Sequence, residues 1–168
     1  MDNTASGTSL KLQALFISFM RDFQRTKLYR FEADVLEKHP LNKILTLNEC
    51  IKLARKYNPE IVVKDGRGRR HAGASFEEQL ITLPIWSRQT VIVLHEVAHT
   101  LVNDYKYPHH GAEFVGTLIG LLSNESINDV SFNMIKFGET KLKYSKNWIN
   151  WALKLPYAKT NNSDSLSN

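Results

Sequence analysis

Apolar residues recur along this chain at two periods, and the switch between them separates helical stretches from extended ones. Near the N-terminus Leu12, Leu15, Phe16, Phe19, Met20 and Phe23 fall at i, i+3, i+4, i+7, i+8 and i+11, which predicts an amphipathic helix starting near Ser9. Leu28, Tyr29, Phe31, Val35 and Leu36 carry the buried pattern on until His39-Pro40 ends it. Thr46 with Glu49 three residues later is a capping-box pattern for a second helix over 47–57, broken by Asn58-Pro59. The period then shortens. Ile61-Val-Val63 reads as a strand, Asp65-Gly66 as a turn, residues 70–76 as a returning strand, and 79–83 as a third strand closed by Pro84.

Ser87 is the expected N-cap of a helix from Arg88 to about Asn103, apolar on most sides and therefore buried. A loop containing Pro108 and Gly111 follows, and Phe114, Val115, Leu118, Ile119 and Leu122 form the stripe of the next helix. Asn124-Glu-Ser126 ends that helix and caps a further short one towards Phe137. Trp148, Ile149, Ala152 and Leu155 have the spacing of a helix packed on the domain with its lysines outward. The elements predict an α+β fold with a small, mostly antiparallel sheet packed on the helix of residues 88–103.

At 168 residues, 42% hydrophobic and 23% charged, the chain suits one domain over residues 1–159, with the polar tail 160–168 expected to be disordered. Its single cysteine, Cys50, excludes an internal disulfide framework. No apolar run approaches the ~20 residues of a membrane span, and the N-terminus lacks a basic export region, so a cytoplasmic location is the expectation. The formal charge of +5 is too small an excess to define a partner. Two basic clusters raise the question of nucleic acid: Lys64, Arg67, Arg69 and Arg70 beside a turn, and the lysines from Lys136 to Lys159 interleaved with Tyr144, Trp148, Trp151 and Tyr157. A solvated hairpin tip and a packed helix with its lysines outward are the preferred accounts of the two, and nucleic acid has only this weak support.

The chemistry concentrates in the buried helix, where His95, Glu96 and His99 form an HExxH arrangement. Histidines four apart project from one helical face, so both imidazoles can reach one ion. Glu96 lies about 100° round the helix, beside the metal rather than on it, where it can accept a proton from an activated water. Catalytic zinc usually takes three protein ligands. His110 is the expected third, since Gly111 lets the loop swing it inward, with His109, Asp104 and Glu113 as competitors. Two satisfied core histidines would leave the buried Glu96 unexplained. Tyr105, Tyr107, His109 and His71 are candidate oxyanion donors.

His95-Glu-Val-Ala-His99 followed by His110-Gly-Ala-Glu-Phe114 resembles the HExxH…HGxxF pattern of SprT-like zinc peptidases. In that family the histidine before the glycine is the third ligand, which the resemblance places at His110. The chain resembles still more closely a small, largely uncharacterised group of bacterial and phage metallohydrolases. Members carry Arg-Asp-x-Gln-Arg-x-x-x-Tyr-x-x-Glu near the N-terminus, as at residues 21–32, and Ile-x-Leu-Pro-x-Trp before the metal helix, as at 81–86. Ala112 departs from the proline common in the pattern, and one cysteine cannot build the zinc ribbon that some SprT relatives add.

The resemblance implies a zincin-like fold and Zn2+. It also implies that the strand at 79–83 is a sheet edge over the cleft, binding an extended peptide by β-augmentation. The metzincin variant is excluded by Val102 and Tyr105, where its glycine and third histidine would stand. The expected function is zinc-dependent hydrolysis, first of all of peptide bonds, with Glu96 as general base and a peptide or protein as substrate. The alternatives are a SprT-like protease acting on DNA-bound proteins, and a catalytically silent, zinc-stabilised interaction module.

Overall fold

The computed structural model describes residues 22–127 and 139–155. The helix expected from Ser9, the short helix expected towards Phe137 and the tail from 160 lie outside those residues. The first described helix, α1 (Arg25–Phe31), buries Leu28 and Phe31 and runs into a π turn over Glu32–Leu36. Phe23, assigned above to the buried stripe, is 78% exposed. Helix α2 (Leu47–Tyr57) has the expected bounds. Thr46 accepts from the Glu49 N–H at 3.3 Å, and the Glu49 carboxylate accepts from the Thr46 N–H at 2.7 Å.

Three strands follow: β1 (Val62–Asp65), β2 (Gly73–Ser75) and β3 (Leu80–Leu83), in the spatial order β1-β3-β2. Pairing is parallel between β1 and β3 and antiparallel between β2 and β3, so the sheet is mixed rather than mostly antiparallel, and β1 and β2 do not form a hairpin. Burial explains the order. Ile81 and Leu83 are fully buried and Thr82 nearly so, whereas β1 and β2 carry exposed and half-buried residues, so the driest strand takes the middle. β3 is therefore not the edge that the sequence suggested. Its start also shifts: Gln79 has a left-handed backbone at φ 48° and instead ties the sheet to the next helix, donating from its amide to the Thr100 carbonyl at 3.1 Å.

Ile85–Ser87 form a 3-10 turn, and the central helix α3 (Thr90–Leu101) begins after it. Ser87 is not the N-cap. Its hydroxyl donates to the Pro84 carbonyl at 2.8 Å, and the free N–H groups of α3 find partners far away in sequence. The Val91 N–H donates to Asn42 Oδ1 at 3.0 Å and the Thr90 N–H to the Lys43 carbonyl at 3.0 Å. α3 packs against α2, α4 (Ala112–Asn124), β2 and β3, which makes it the centre of the core.

Helix α5 (Lys146–Ala152) lies along α4, as the spacing of Trp148, Ile149 and Ala152 predicts. The approach is close because α4 carries Gly116 and Gly120 on that face. A Cβ on Gly116 would stand 2.5 Å from the Ser145 carbonyl oxygen and 3.1 Å from Trp148 Cβ. Gly116→Ala gains ~1 kcal/mol of helix propensity. Overpacking against backbone atoms costs roughly 1–3 kcal/mol and should prevail. The expected result is a lower denaturation midpoint; an unchanged or higher one would show that α5 can move away freely.

Candidate metal centre

Val91, Val93, Leu94, Val97 and Ala98 bury α3 on several sides, and this burial carries His95 and Glu96 inside with them, 6% and 7% exposed. His110 reaches the same place from the loop before α4 and is 5% exposed. Among the described residues, His95, His99 and His110 bring ligand nitrogens within 4.8 Å of one another. His95 Nε2 and His99 Nε2 stand 3.2 Å apart. Zinc–nitrogen bonds of ~2.0–2.1 Å arranged tetrahedrally place two nitrogens ~3.3 Å apart, so the pair already has the spacing of one tetrahedral edge. His110 Nε2 is buried and has no hydrogen-bond partner among the described residues. Such an orphaned acceptor is costly unless something not made of protein satisfies it. The donor set therefore fits zinc.

The opposite ring nitrogens face carboxylates. Glu32 Oε1 lies 2.6 Å from His95 Nδ1, and Asp22 Oδ2 pairs with His110 Nδ1. Gln24 donates from its amide to the His110 carbonyl at 3.0 Å and to the Lys143 carbonyl at 3.2 Å, and accepts from the Lys143 N–H. The Phe114 ring backs all three imidazoles, with centroids 5.0, 4.3 and 5.0 Å from His95, His99 and His110. Tyr29 stands against His95 and His110 at 5.7 and 5.3 Å.

Burial opposes charge on every imidazole here. It holds His99 well below the ordinary histidine range, helped by the neighbouring histidines, and lowers His110 despite Asp22. At His95 burial is outweighed by the Glu32 carboxylate, and the pKa is raised. Glu96 is pushed up by burial and by Glu32, against the pull of His95. A cavity of about 430 Å³ opens beside His95 and Glu96, walled by Arg25, Tyr29, His71, Trp86 and Ile92 among others.

The competing ligands stay outside the cluster. His109 is exposed, its ring 6.2 Å from His99. Asp104 and Glu113 are likewise not among the gathered ligand atoms. Of the oxyanion candidates, the Tyr105 hydroxyl donates to Glu77 at 2.8 Å, Tyr107 packs on Trp148 at 5.6 Å, and only His71 lines the cavity. Asp22, Gln24, Tyr29 and Glu32 entered the sequence analysis only as positions of the segment matched over residues 21–32, with Tyr29 also in the buried pattern, and none was assigned to the site. That segment was the available signal, together with Glu32 as an acid at i±4 between the buried Leu28 and Leu36.

Arg67 and Arg88 both pair with Asp65, at 3.4 and 2.7 Å. Trp148 packs between Tyr107 and Trp151, while Lys136, Tyr157 and Lys159 lie outside the described residues. Among the described residues no helix is long and apolar enough to cross a membrane. Comparison with family models, with curated proteins and with solved structures gives no match.

Proposed function

We propose that this protein is a zinc-dependent hydrolase, most specifically a peptidase, with His95, His99 and His110 as ligands and Glu96 as general base. The observation that carries the reading is Glu96: it is buried, takes no part in the histidine cluster, and lines the same cavity as His95. A structural metal site has no use for such a carboxylate. Bound zinc would supply Lewis acidity towards a water and a carbonyl oxygen. Glu96 then accepts the water proton at its carboxylate, which burial makes more basic, and hands it to the leaving amine. The resemblance of His95 to Phe114 to SprT-like peptidases supports the same reading.

The substrate strand is reassigned. β3 is paired on both sides, but β2 is a sheet edge, and His71 and Ala72 just before it line the cavity. An extended peptide adding to β2 would run past Glu96. The test is to incubate the zinc-loaded protein with unfolded casein and with a defined peptide mixture, reading new termini by mass spectrometry. Cleavage that stops on chelation and returns with zinc is expected. Full zinc occupancy with no cleavage of either would favour the zinc-stabilised interaction module.

A further inference from the structure

We propose that Glu32 and Asp22 are positioning residues, each accepting a hydrogen bond from the Nδ1–H of one histidine so that His95 and His110 present Nε2 to the ion in a fixed tautomer and orientation. The inference rests on the metal-binding half of the reading above and is independent of catalysis. Glu32 is 8% exposed on the inner face of the N-terminal segment, and its carboxylate meets His95 Nδ1 at 2.6 Å. For folding alone an apolar residue would serve better there, since a buried carboxylate is costly unless well bonded. The backbone is also shaped around it. The Glu37 N–H donates to the Glu32 carbonyl at 2.8 Å, the wide bond of the π turn, and Leu36 remains fully buried beyond it.

Asp22 and Gln24 do for the loop what the helix does for His95. His110 has no helix beneath it, yet its ring is held at Nδ1 by Asp22 and its carbonyl by Gln24. His99 has no such bond among the described residues. Two ligands are thus oriented by one short N-terminal stretch and the third by α3 itself. Carboxylates in this place raise ligand basicity and fix the ring, and losing one typically lowers metal affinity about 10–100-fold.

The experiment measures zinc affinity by chelator competition, and the visible absorption of the cobalt(II)-loaded protein, in wild type, Glu32→Ala, Glu32→Gln and Asp22→Ala. Glu32→Ala and Asp22→Ala are each expected to weaken zinc about 10–100-fold and to change the cobalt spectrum. Glu32→Gln keeps an acceptor oxygen towards Nδ1–H and is expected to restore much of the affinity. Asp22 is more exposed than Glu32 and lies at the segment's outer end, so Asp22→Ala remains informative if Glu32→Ala fails to fold. Zinc affinity and cobalt spectra like the wild type's in the folded variants would overturn the assignment and leave the carboxylates a purely structural part. A wild type that binds no zinc would instead overturn the metal centre itself.

Discussion

Glu96→Gln should keep its zinc and lose its turnover. The substitution preserves shape and removes only the ability to accept a proton, so a loss of roughly 10²–10⁴-fold in kcat is expected. Binding of the ion should be untouched, because the gathered nitrogens belong to His95, His99 and His110. Stability of the metal-free protein should not fall either: Glu96 is buried and its charged form is disfavoured there, which a neutral amide relieves. Measuring kcat, zinc content and thermal midpoint on the same preparation separates these effects. A variant as active as the wild type would remove Glu96 from the chemistry, and loss of zinc would make it a ligand.

The second large effect is expected at the loop. His110→Ala should lower zinc affinity by at least about 10²-fold, since losing a ligand must exceed the loss expected from an outer carboxylate alone. His109→Ala should stay within a few-fold of wild type. The two residues are adjacent, equally capable of ligation, and separated only by where the loop points them: His110 inward, its Nε2 without a partner among the described residues, and His109 outward into solvent. Competition titration of both variants decides the matter. Normal zinc binding by His110→Ala together with its loss in His109→Ala would reverse the ligand assignment.

How much of this was legible in the chain depended on how far each interaction reaches. The HExxH pair and the capping box of α2 are local, four and three residues across, and both appear in the structure as the spacing predicted. The α5 face was legible because helical periodicity reports burial directly. Sheet order was harder, since pairing joins distant strands. Yet Leu80–Leu83, nearly unbroken in its apolar character, already had the composition of a central strand rather than an edge. The start of α3 was misplaced because its N–H groups bond to residues 42 and 43, and no nearby serine is needed. The carboxylates behind the histidines stood in the segment matched at residues 21–32, but their pairing was not legible for the same reason, since it acts across 63 and 88 residues of chain.

The Gln24 amide joins three stretches that are remote in sequence: its own, the loop of His110, and Lys143 ahead of α5. A fragment ending after Asn124 would therefore contain every imidazole and Glu96 but not a finished centre. Residues 22–24 and Lys143 meet at one side chain beside the histidine cluster. If the proposed centre binds metal, its affinity would in that sense report whether the chain has closed on itself.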